Sequence, residues 1–145
     1  MSLPDAEIEA RLDAWPVARL ATIAPDGRPH LVPIVFARAG GSLWSPIDGK
    51  PKRGGALARV RNIEHAPRVA LLLDHYDADW TQLWWIRIDA RASLVTGHPP
   101  AESALRAKYP QYATTPLFRD EPSLLRIDPE SISSWSSTPH RGESG

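Results

Sequence analysis

The chain of 145 residues contains no cysteine at all. That removes disulfides, zinc–thiolate centres and cysteine nucleophiles together. It has no net charge either, with 17 Lys plus Arg against 17 Asp plus Glu. A general nucleic-acid binder carries a basic excess, so this balance argues against one while leaving room for a local anion site. No apolar run approaches the ~20 residues that a membrane-spanning helix needs. No secretory core is expected at the N-terminus, because Asp5, Glu7, Glu9, Arg11 and Asp13 interrupt it. These absences point to a cytoplasmic protein. Sequence-level fingerprints are missing too. There is no Gly-x-Gly-x-x-Gly after a strand, no phosphate loop of the Walker spacing, no Gly-x-Ser-x-Gly elbow and no internal repeat.

Proline and tryptophan are abundant, at 15 and 6 residues. Frequent proline breaks predict many short elements joined by turns, and so a β-rich fold. The length suits one domain over residues 1–145, with 136–145 as a frayed tail.

The stretch from Ser45 to Asp74 carries the strongest chemical signal. Lys50, Lys52, Arg53, Arg59 and Arg61 follow one another with no acid until Glu64. A cationic loop feeding a helix N-terminus can hold a phosphate, because backbone N–H groups and the helix dipole both face the anion. A solvated charged face is the plain alternative.

In chain order, Leu3 to Trp15 reads as an amphipathic helix with Ile8, Leu12 and Trp15 on one side, Ser2 as a cap and Pro4 in the first turn. Val17 to Ala24 and His30 to Ala37 form a hairpin around Pro25-Asp26-Gly27-Arg28. Pro33 cannot donate to a ladder, which marks an edge or a bulge. Ser42 to Ser45 is a third strand. A helix follows over about Ala56 to His65, and then a central strand at Arg68 to Leu73. Leu83 to Thr96 alternates, with Trp84, Ile86, Ile88, Ala90 and Ala92 on one side and Trp85, Arg87, Asp89 and Arg91 on the other. Ala101 to Tyr109 reads as a helix. Leu124 to Ile127 and Ile132 to Trp135 read as two strands separated by Asp128-Pro129. Directly joined strands imply antiparallel pairing around a barrel-like core.

The loop Asp74, His75, Asp77, Asp79 lacks the spacing of a calcium loop, and the histidines are never paired as zinc ligands, so no metal site is expected. Trp80, Trp84 and Trp85 suit either a wall for a flat ligand or a packed interface.

Two segments together carry a resemblance. Ala18-Arg19-Leu20-Ala21-Thr22-Ile23 with Pro25-Asp26-Gly27-Arg28-Pro29-His30 and Val32-Pro33 is similar to the opening hairpin of the pyridoxamine-phosphate-oxidase-like superfamily. Leu57-Ala58-Arg59-Val60-Arg61-Asn62-Ile63 with Ala66-Pro67-Arg68-Val69-Ala70 resembles its second-helix region. The loops Asp48–Arg53 and Asp74–Trp80 resemble the branch that uses the deazaflavin coenzyme F420. The resemblance implies a split β-barrel of about six antiparallel strands, assembled as a homodimer with cofactor sites at the interface and a small-molecule substrate. It implies that His30, Val32, Pro33 and Ile34 line the ring and that Ser45 lies near the ribityl chain. Lys50, Lys52, Arg53 and Arg59 would meet the phosphate or acidic tail, and Trp80 would come from the partner chain. No catalytic side chain is expected, because the cofactor carries the hydride chemistry. FMN in place of F420, or a non-catalytic carrier of flavin, deazaflavin or a haem-type ligand, are the alternatives.

Overall fold

The computed structural model describes residues 1–47 and 57–138. It holds three α-helices and seven strands. The helices are α1 (Asp5–Ala14), α2 (Ala58–His65) and α3 (Pro99–Lys108). The strands are β1 (Ala18–Ile23), β2 (Pro29–Ile34), β3 (Ala37–Ala39), β4 (Ser42–Pro46), β5 (Arg68–His75), β6 (Trp84–Val95) and β7 (Leu124–Ser136). All pairings are antiparallel, in the order β2-β1-β5-β6-β7-β4-β3. Rolled about its inner face, this sheet is a split β-barrel.

The opening hairpin forms as its turn chemistry requires. Gly27 takes φ 87°, and the Ala24 N–H bonds the Arg28 carbonyl at 2.9 Å. Pro33 lies on β2, which is a sheet edge, where a missing donor costs least. Two boundaries differ from the sequence expectation. The expected single strand from His30 to Ala37 breaks at Val35-Phe36. There Phe36 is fully buried and its N–H donates to the Tyr109 hydroxyl at 3.0 Å, instead of continuing the ladder. Conversely, the expected two last strands are one. Pro129 sits opposite Ala90, where the β6–β7 register shifts, and a bulge absorbs a residue that cannot donate. The split and the merger offset each other, so the described residues hold the same number of strands as the sequence reading gives, arranged as the split barrel that the resemblance implied. At the N-terminus Pro4 is the cap position of α1, with no side-chain cap, and its carbonyl accepts the Glu7 and Ile8 N–H groups at 3.0 Å, so Ser2 does not cap the helix.

Alternation builds two cores. The inner barrel face collects Leu20, Leu71, Leu73, Ile86, Ile88 and Ile127, all fully buried, with Leu3, Ile8 and Leu12 from α1 and Ile63 from α2. The opposite side of β4 and β3 packs Trp44 and Ala37 against Ala101 and Leu105 of α3, Tyr109 and Leu117. Tyr109 fastens the two cores together. Its hydroxyl accepts from Phe36 and reaches the Pro16 carbonyl at 2.8 Å, and burial raises its pKa. Among the described residues no helix is long and apolar enough to cross a membrane.

Candidate functional site

The antiparallel register fixes which expected site residues meet. On β2, His30, Val32 and Ile34 share one parity and Leu31 and Pro33 the other. Val32 packs against the inner core and Ile34 belongs to it, so their side chains are occupied. Pro33 faces outward, level with Arg19. The four residues expected to line a ring therefore divide between two faces, with only His30 half-buried and unclaimed by the core.

His30 is opposite Thr22 of β1. Thr22 is buried and accepts a hydrogen bond from Asn62 Nδ2 of α2 at 3.0 Å, which seats the helix over this end of the barrel. Arg59 lies three residues before Asn62, about 4.5 Å along the helix and on a neighbouring face. It is half-buried. His30 and Arg59 thus belong to elements, β2 and α2, that both adjoin β1 at this end of the barrel. His30 Nδ1 is buried there with no hydrogen-bond partner among the described residues, a state that costs free energy unless something completes it.

Ser45 reaches the same end from the other side. It is buried on β4 with the parity of Leu43, opposite Leu125, and so faces the inner core. β4 ends at Pro46, and the Ile47 N–H is held by the Ser123 carbonyl at 2.9 Å. The chain then enters 48–56, so Lys50, Lys52 and Arg53 lie outside the described residues.

Trp80 is not brought to the others within one chain. It lies beyond the far end of β5, in a 3-10 turn (Trp80–Gln82), and is 69% exposed. Val69, level with Thr22 and His30, is six residues from His75, or about 20 Å along the strand. Around that far end Trp15 packs edge-on against Trp84 and His75, with the Arg11 guanidinium 4.4 Å from the Trp84 ring centroid.

The outer sheet face is the other feature that isolated alternation leaves open. Leu31 is 65% exposed and Leu72 37%, with Ile23 and Trp135 also uncovered. They are interspersed with Arg19, Arg87 and Asp89.

A model of the pyridoxamine 5'-phosphate oxidase family matches residues 4–136. The chain belongs to that family. No curated protein matches it in sequence. Among solved structures it is similar to a conserved hypothetical protein from Mycobacterium tuberculosis, at 22% identity and TM-score 0.74, covering 95% of this chain and 90% of that one. It is similar to the heme storage protein HutZ of Vibrio cholerae, at 18% identity and TM-score 0.71, covering 91% and 93%. It also resembles an F420 reductase, at 20% identity and TM-score 0.63, covering 90% and 96%. At these identities the likeness is one of fold, the split β-barrel, which the chain shares also with a FAD-binding protein of Mesorhizobium loti at 22% identity and TM-score 0.66, covering 92% and 93%. Sequence reading missed the Asn62–Thr22 hydrogen bond, which fixes the helix carrying Arg59 to the strand beside His30.

Proposed function

We propose that the chain is a single-domain, cytoplasmic, F420-dependent oxidoreductase. It works as a homodimer and transfers hydride between the reduced deazaflavin and a small electron-poor substrate such as an enone, quinone or imine. The observation that carries this is the buried Nδ1 of His30, without a partner among the described residues, beside the helix that carries Arg59. A flat heterocycle with polar edges and an anionic tail offers the His30 imidazole a hydrogen-bond partner and the Arg59 guanidinium an anion, so the residues present fit the cofactor class.

When bound, the deazaflavin supplies the hydride. The protein's part is binding, orientation and exclusion of water. Arg59 clamps phosphate oxygens in pairs, and Lys50, Lys52 and Arg53 add charge at the anionic tail. His30 hydrogen-bonds the ring edge and so sets its depth. Since Val32 and Ile34 spend their side chains on the core, β2 offers the ring its backbone. Ser45 lies toward the ribityl chain. The uncovered outer face of β1, β2 and β5 is the surface that a second copy covers, and the exposed Trp80 of one protomer closes the site of the other.

Side-by-side titration with F420 and FMN is the test. We expect tighter binding of F420, and Arg59→Ala should raise its dissociation constant at least ~10-fold, since charge-assisted hydrogen bonds contribute about 1.5–3 kcal/mol. Unchanged affinity in the variant removes Arg59 from the site. Preferential FMN binding, with yellow protein as isolated, selects the flavin reading instead. A haem carrier is the second reading, favoured by the imidazole nitrogen of His30 and the likeness to a heme storage protein. A Soret shift on haem addition that His30→Ala abolishes would select it.

A further inference from the structure

A second concavity lies away from α2, where the barrel is split. β4 leaves β7 after the Leu43–Ile127 pair, and the chain's first residues rejoin β7 only at Ser134 and Ser136. Between these points, β7 from Pro129 to Ser133 pairs on one side only among the described residues. α1 leans over this gap, and the β3–β4 turn at Gly40-Gly41 forms its lip. The resulting cleft is about 810 Å³, within the ~300–1,000 Å³ range of small-molecule sites.

Its two surfaces differ in chemistry. The floor is apolar: Ile8, Leu12 and Leu43 belong to the inner core, and Ile132 stands beside them. Ile132 pairs with the fully buried Ile88, so it has the inward parity, yet it is 45% exposed. A large inward-facing aliphatic side chain without cover is apolar area that a ligand can bury. The rim is charged. Asp5, Glu9 and Asp13 are spaced four residues apart along α1, one line on the helix surface. Among the described residues Arg38 is the one cation lining the cleft, and it is already engaged. It makes a two-point contact to Asp13 at 2.8 and 2.7 Å and approaches Glu9 at 3.5 Å. Three carboxylates against one guanidinium leave the lining at −2. Gly40 and Gly41 put no side chain on the lip, and a Cβ at either would meet nothing within 4 Å.

We infer that this cleft is a binding site, distinct from the α2 end of the barrel, for a small amphipathic organic cation whose apolar body lies on Ile132 and Leu12 while its charged head meets Asp5 and Glu9. An anion is excluded by the rim, because Arg38 has no capacity left to offset two further carboxylates. A neutral apolar ligand would leave Asp5 and Glu9 as they are in water, and so gain only the floor. The inference stands independently of the proposed redox activity.

The test uses the full chain with ¹³C-labelled isoleucine methyls and benzyltrimethylammonium as the probe, with benzyl alcohol and phenylacetate as neutral and anionic controls. The expected result is saturable shifts of the Ile8 and Ile132 methyls by the cation, at least ~10-fold weaker for either control. Binding should weaken as salt is raised. The exposed substitutions Asp5→Asn and Glu9→Gln together should lower the cation's affinity about tenfold, with F420 or FMN titration unchanged. Three results would overturn the inference: no shift at cation concentrations reaching about 10 mM, well above a weak millimolar Kd; equal shifts from phenylacetate; or Ile132 shifts that follow protein concentration instead of ligand, which would mean that a second copy covers the cleft.

Discussion

The two faces of the sheet around β1, β5 and β6 are made from the same strands, yet they meet different fates. On β5, Leu71 and Leu73 are fully buried while Leu72, between them, is 37% exposed. On β1, Leu20 is fully buried and Ile23 largely uncovered. The inner face is filled by the chain's own side chains and capped by α1 and α2. The outer face mixes leucine and isoleucine with Arg19, Arg87 and Asp89 and, among the described residues, has no helix laid over it. The inner face is spent mostly on stability, with His30 and Ser45 at its α2 end, whereas the outer face is apolar area left uncovered among the described residues.

The largest contrast should come from neighbouring leucines. Leu71→Ala empties a fully buried position and should cost about 2–5 kcal/mol in chemical denaturation. Leu72→Ala, one residue away, should cost each protomer much less. If both cost the same, the faces are not distinct. Leu72→Glu sharpens the point by placing a charge on the outer face. On the proposed homodimer, it should yield monomer in sedimentation and weaken cofactor binding while leaving far-ultraviolet dichroism intact.

A mid-sized effect is expected at the junction of the two cores. Tyr109→Phe removes the hydroxyl that serves the Phe36 N–H and the Pro16 carbonyl, leaving buried groups unmet at a cost of about 1–3 kcal/mol. The smallest effect depends on pH. Lys108 Nζ donates to the Leu12 carbonyl at 2.9 Å and lies 3.6 Å from the Phe36 ring centroid. Burial pulls its pKa down to about 8 from 10.5, with Asp13 opposing and Arg38 adding to the shift. Above about pH 8 the folded amine is neutral while the unfolded one still holds its proton, so stability should rise between roughly pH 8 and 10.5. Discounted for solvent screening, the rise is about 1 kcal/mol. Lys108→Met should be flat over that window, and a slope shared by both proteins would assign the effect elsewhere.

Some of the site was legible in the sequence and some was not, for reasons visible at single residues. The alternation of β6 announced Ile86, Ile88 and Ala90 as inward because a strand has period two. Pro25-Asp26-Gly27 announced the hairpin because turn geometry is local. Pro33 marked an edge, and β2 is one. By contrast, the break at Phe36 follows from a tyrosine hydroxyl 73 residues away. Pro129 stayed within a strand because a bulge against β6 received it. The four β2 residues expected to share a ring could not be assigned to faces until the register with β1 was fixed.

The sequence by itself determined the β-rich class, the antiparallel hairpins and the family, since periodicity, turn chemistry and motif are all properties of neighbouring residues. Tertiary structure alone decided that His30 has a buried nitrogen unmet among the described residues, that Asn62 ties α2 to Thr22, and that the barrel is split between α1 and β7. Those facts depend on which surfaces are left over once distant segments have packed, and no local pattern encodes what is left over.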